Sequence, residues 1–157
     1  MSHDPRHALA ISRFQRLEAS VLPHGCFLRI QLPVTLSDTS EPEPDIAVVK
    51  GSPEDYANHH PGPADLMAAI EVAISSLQFD RTTKQQKYAS ASIRQYWIVN
   101  LSENEIEVYE EPLTAEGRYA RRTDYQAGQT IQLGLDAAHA IEVRVADVLP
   151  PPGAVPG

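Results

Sequence analysis

The chain has 157 residues, the length of one domain, and its 42% hydrophobic and 22% charged residues lie near the globular average, which excludes disorder throughout. Thirteen Lys and Arg against twenty-one Asp and Glu give a net charge of −8, which excludes a surface that grips phosphate backbones over its whole extent. Any nucleic-acid contact is therefore local.

Asp4-Pro5 reads as a helix N-cap followed by a first-turn proline, and Ala10, Phe14, Leu17 and Val21 recur at helical spacing, so a helix is predicted from about Pro5 to Ser20. Pro23 and Gly25 break it. Cys26, Leu28, Ile30, Leu32, Val34 and Leu36 then alternate with Arg29, Gln31 and Thr35, the pattern of a half-buried strand. A Ser/Glu/Pro-rich turn over Ser37 to Pro44 leads into a second, β-branched strand, Asp45 to Lys50. Gly51 to Pro63 has no period and reads as a loop. Leu66 to Ile74 is apolar on both faces except at Glu71, as a central buried strand would be. Helix formers return from Asp80 to Ser92, capped by Asp80 or Ser76, and Arg94 to Asn100 supplies a fourth, aromatic strand. Glu105 to Glu110, Arg118 to Tyr125 and Gln129 to Leu133 read as further short strands, and Asp147 to Leu149 closes the domain. The class is mixed α/β: helix, three strands, helix, strand, then a β-rich C-terminal extension, over one domain at 1–149 with a frayed Pro-rich tail at 150–157.

Cys26, the single cysteine, can form no internal disulfide, which fits a reducing, cytoplasmic compartment. No signal peptide is visible, and no apolar run approaches the roughly 18 residues of a membrane span. The six histidines show no metal spacing and read as surface residues. Ser75 and Ser76 lack a nucleophile elbow, Cys26 alternates with core residues, and glycine is too sparse for a phosphate-cradling loop.

Glu71 is the sharpest single signal, because an ionised carboxylate in a two-sided apolar strand costs several kcal/mol unless a cation or several donors accompany it. Read alone, it is a structural ion pair or a functional carboxylate. Asp45 follows a proline at the mouth of a strand, where Asp is also a common turn residue. Together the two, on neighbouring strands about 4.8 Å apart, could clamp one hard divalent ion. Asp80, Lys84 and Lys87 or Tyr88 share a helical stripe, which an ordinary solvated Asp–Lys pair also explains. Arg81, Lys84, Lys87 and Arg94 nevertheless form a cationic window without an acid, suited to a phosphodiester beside a metal.

The element order, with Pro44-Asp45, Glu71 in a strand and lysines on the next helix, resembles the PD-(D/E)XK nuclease superfamily. More closely, EPEPDIAVV, IEVAISSLQFD followed by Lys84, and YASASIRQYWIVN are similar to the Uma-two family, a bacterial group named as restriction endonucleases. The likeness runs from about His7 to Leu149. It implies a restriction-endonuclease-like core, with Asp45 and Glu71 as ligands of Mg²⁺ or Mn²⁺ and Lys84 as the catalytic lysine. Ala73 stands where the superfamily lysine usually lies, so that role passes to the helix, with Lys87 in reserve and Asp80 auxiliary. Nucleic acid, DNA above all, is the implied partner, and a homodimer is compatible. Three departures accompany it: Ile74 replaces a polar or acidic residue, Ser92 replaces a glycine, and the helix starts almost at the N-terminus, where relatives place a hairpin that can supply another acid. The alternative is a catalytically degenerate relative, a binding or assembly module in which Glu71 and Lys84 form a buried structural pair. The nuclease reading expects Asp45, Glu71 and Lys84 to converge at the edge of a mixed sheet.

Overall fold

The Asp4 side chain accepts the Arg6 N–H at 2.8 Å and Pro5 fills the first turn, and from this cap α1 runs over Pro5–Gln15. The computed structural model describes residues 4–152; His3 and the tail from 153 lie outside the described residues. The first helix is interrupted at Arg16-Leu17 and resumes as a short α2, Glu18–Val21. Gly25, at φ 76°, turns the chain into β1, Cys26–Ile30.

Strand β1 is half as long as the alternating pattern suggests. Gln31 stands at φ 52° and donates its N–H towards the carbonyls of Pro44 and Asp45, and Pro33 has no N–H to continue a ladder. Val34 is still fully buried, but Leu32 is half exposed and Phe27, out of phase, is buried, so the alternation holds for burial only in part and not for strand pairing.

Strands β2 (Ile46–Lys50) and β3 (Leu66–Ala73) follow. The chain then forms α3 (Leu77–Phe79), a π-helical turn (Asp80–Lys84) and α4 (Gln85–Ser90) without a break, before β4 (Gln95–Asn100), β5 (Glu105–Leu113) and β6 (Arg118–Tyr125). These six strands make one sheet in chain order, parallel only between β3 and β4, where the helical segment is the crossover. β7 (Thr130–Gly134) and β8 (Ala140–Arg144) form a separate hairpin, and α5 spans Val145–Val148. The fold is therefore mixed α/β, with a six-stranded mixed sheet and few helices.

Strand alternation divides the core by face. Ile46, Val48, Ile70, Val72, Trp97 and Val99 point to the face covered by α1, the hairpin and α5, where Phe14 meets Trp97 edge to face at 6.1 Å. Ala47, Val49, Ala69, Ala73 and Ile98 point to the other face, under Tyr88 and Ala89 of α4 and beside Tyr96, Tyr109 and Tyr119. The C-terminal extension is β-rich, as expected, and shares this core. β5 and β6 widen the sheet, and Ile131, Leu133, Val143 and Val148 complete the core beneath α1. The start of the Pro-rich tail is also held, because Pro150 is buried and Arg13 and Arg6 of α1 donate to the carbonyls of Leu149 and Pro151.

Candidate functional site

The ladder between β2 and β3 pairs Ile46 with Ile70, so one step beyond it Asp45 stands opposite Glu71 on the face covered by α4. Asp45 lies just past the end of β2, and its Oδ2 accepts the Val72 N–H at 2.8 Å. A side chain thereby satisfies a β3 donor that the ended strand leaves open. The Asp45 N–H in turn donates to Glu71 Oε1 at 3.3 Å.

Glu71 is 2% exposed and takes the two groups that the helix offers: the Tyr88 hydroxyl at 2.8 Å and the Lys84 ammonium at 3.1 Å, both on Oε2. Asp80, 1% exposed, accepts the Ser76 hydroxyl on Oδ2, while Oδ1 accepts no hydrogen bond and faces Lys84 Nζ at 3.6 Å. The stripe Asp80, Lys84, Tyr88 is therefore aimed inward at Glu71. The Tyr96 hydroxyl donates to the Asp80 carbonyl at 2.9 Å and steadies the π-helical turn from below.

Three carboxylates gather around one ammonium, and the titration behaviour follows. Burial first, and then Asp45 and Asp80 against the pull of Lys84 and Tyr88, pushes the Glu71 carboxyl up to about 7. Burial likewise raises Asp80 against Lys84 and Ser76. Burial alone would lower Lys84, but Glu71, Asp80 and Asp45 more than offset it and hold the amine above its ordinary value. This surplus of buried negative charge, with the unbonded Asp80 Oδ1, suits a divalent cation. Among the described residues no three of His, Cys, Asp and Glu surround one point. A hard ion here would be held by the Asp45 and Glu71 carboxylates with water in its other positions, and not by a closed protein cage.

The structure brings Asp45, Glu71, Asp80 and Lys84 together, over the interior strand β3 and not at the sheet edge that the sequence suggested. It does not bring in Lys87, which is exposed and lines a shallow pocket with Leu36, Ser37, Ser40 and Ser90. The cationic window is divided as well. Arg81 turns away to clasp buried Glu107 through Nε and Nη2, at distances down to 2.6 Å, and Tyr109 and Asn100 donate to the same carboxylate. Although burial would raise Glu107, these donors hold it below its ordinary value.

Sequence reasoning missed His7, taken as a surface residue. From α1 its Nε2 lies 3.3 Å from Asp45 Oδ2. No spacing could reveal this, because α1 and β2 meet only in the folded chain.

Comparison with known proteins agrees with this architecture. No curated protein matches the chain. Among solved structures it is similar to a protein from Anabaena variabilis ATCC 29413, described as a "putative nuclease belonging to DUF820", with a TM-score of 0.70 at 16% identity over 94% of this chain and 82% of that one. A family model named Uma2 and described as "Putative restriction endonuclease" matches residues 1–146. With residues 1–146 of its 157 matched by that model, the chain belongs to the Uma2 family.

Proposed function

We propose that this chain is a metal-dependent phosphodiester hydrolase of the endonuclease type, with nucleic acid, DNA above all, as its substrate. The observation that carries the reading is the pairing of buried Glu71 and Asp80 with Lys84, with half-buried Asp45 bonded to Glu71, a set whose carboxylates outnumber the one ammonium. Asp45 and Glu71 would hold Mg²⁺ or Mn²⁺. When bound, such a cation supplies Lewis-acid stabilisation of the charge that builds on a phosphodiester under attack.

The chain's own groups do the rest. The Val72 N–H and His7 fix the Asp45 carboxylate, and the Tyr88 hydroxyl and the Asp45 N–H fix that of Glu71. Lys84, held charged by its acidic neighbours, is placed to orient the attacking water or to neutralise the developing oxyanion. Asp80 anchors Lys84 from the preceding helical turn. Lys87 is better suited to an outer phosphate than to the reaction centre.

Cleavage of plasmid and of single-stranded DNA tests this. Activity should require Mg²⁺ or Mn²⁺ and fall about a hundredfold or more in Lys84→Ala. Undiminished activity in that variant refutes the assignment.

A second reading has its own support. The 3.1 Å contact between Lys84 and Glu71 is also what a degenerate relative, serving as a binding or assembly module, would keep as a structural pair. Binding of nucleic acid without cleavage under any metal, together with a metal-insensitive melting temperature, favours that reading.

A further inference from the structure

We propose that Phe79 is a stacking platform for an unpaired nucleobase, so that the chain binds single-stranded or locally unpaired nucleic acid in preference to duplex. The inference deepens the nuclease reading and rests on it. Phe79 closes α3 immediately before the π-helical turn and is 49% exposed. Among the described residues the large exposed apolar side chains are Leu9, Leu22, Leu32 and Phe79, and of these only Phe79 carries a ring.

A single exposed apolar residue is ordinary; its position here is not. Lys84 Nζ lies over one face of the Phe79 ring, 5.9 Å from its centre, and 3.1 Å from Glu71 Oε2, so one ammonium adjoins both the ring and the carboxylate. A phosphate engaged at Lys84 would bring the base of its own or the adjoining nucleotide within reach of the ring face that Lys84 leaves open. Gln78, next to Phe79 in the chain, and Ser75 are both exposed and polar. The charge of the chain points the same way. At −8 overall, with Arg81 bound to Glu107, the chain has few cations with which to hold a backbone, and stacking is the sequence-tolerant attraction that remains. In a duplex the bases are paired and stacked on one another, and the ring gains nothing without their extrusion.

Fluorescence anisotropy decides it, in chelator so that binding is read without cleavage, on a labelled single strand and on a hairpin duplex with the same number of phosphates. Wild type should bind the single strand more tightly. Phe79→Ala should weaken the single strand about tenfold and leave the duplex unchanged, Phe79→Leu should lose as much although it keeps apolar bulk, and Phe79→Tyr should retain wild-type binding. The ring is on the surface, so all three variants should fold. Equal losses on both forms in Phe79→Ala, or wild-type affinity in Phe79→Leu, overturn the proposal. So does a wild-type dimer in sedimentation that Phe79→Ala dissolves, since the ring then serves a second copy. A wild type that binds neither form overturns this proposal and leaves the nuclease reading to the metal-dependent cleavage assay, and equal binding of both forms, indifferent to Phe79, overturns the stacking as well.

Discussion

At Glu71 one carboxylate answers to two environments, an apolar strand that disfavours its charge and an ammonium that favours it. With the carboxyl raised to about 7 from the ordinary 4.5, the folded protein gains by holding a proton there. That contribution is complete below about pH 4.5 and is lost as the pH rises through about 7. In chelator the unfolding free energy should therefore fall by up to about 3 kcal/mol between those limits. Chemical denaturation across pH should find Glu71→Gln without most of this slope, retaining the slope of the same sign from Asp80. Above pH 7 that variant should be more stable than wild type by about 0.5–2 kcal/mol and should lose the upward melting shift that Mg²⁺ or Mn²⁺ gives. A purely structural Glu71–Lys84 pair demands the opposite sign, a loss of about 3–5 kcal/mol on breaking it. Tyr88→Phe removes the buried hydroxyl that donates to Glu71 and should cost about 1.5–3 kcal/mol at pH 8. The sequence made Glu71 conspicuous because its strand is otherwise apolar. It could not reveal His7 at Asp45, which depends on where α1 lands.

Among the elements, the segment from Leu77 to Ser90 decides most. Its π-helical turn puts Asp80 and Lys84 over Glu71 while Arg81 reaches Glu107 two strands away. Arg81→Ala leaves a buried carboxylate with Tyr109, Asn100 and the more distant Arg122, and should lower stability by about 2–4 kcal/mol in denaturant titration. Glu107→Leu, which removes the charge itself, should cost less in the same measurement. Just beyond α4, Ser92 adopts φ 60°, a conformation that favours glycine. Ser92→Gly should raise stability by up to about 1 kcal/mol, the relief of left-handed strain being partly offset by the added freedom of the unfolded chain and the lost contact with Thr114. The helix over this segment was legible from composition, but the π turn was not. One extra residue in a turn leaves no mark in a periodicity that both the sheet below and the solvent above already satisfy.

Over the whole molecule, charge sets how nucleic acid can be held. The arginines on β6 are occupied, Arg118 with Glu116, Arg121 with Glu110 and Arg122 with Asp124. Of the cationic window, Lys84, Lys87 and Arg94 remain for phosphates once Arg81 is taken up by Glu107. The logarithm of the single-strand affinity should then fall with the logarithm of salt concentration with a slope of about −2, where a protein gripping a long backbone tract would show a far steeper one. Among the described residues no helix is long and apolar enough to cross a membrane. By itself the sequence determined the class, the succession of β2 to β6 and the residue types of the cluster, because β-branched and apolar runs bounded by turn residues, and a lone acid in such a run, are local signals that burial writes directly into the chain. Only the tertiary structure decided that β1 stops at Ile30, that the cluster lies over the interior of the sheet, that Arg81 leaves the cationic window for Glu107, and that Lys87 stays outside. Each of these is a choice of partner between segments far apart in the chain, and partners are fixed by strand register and helix placement, which no single segment encodes.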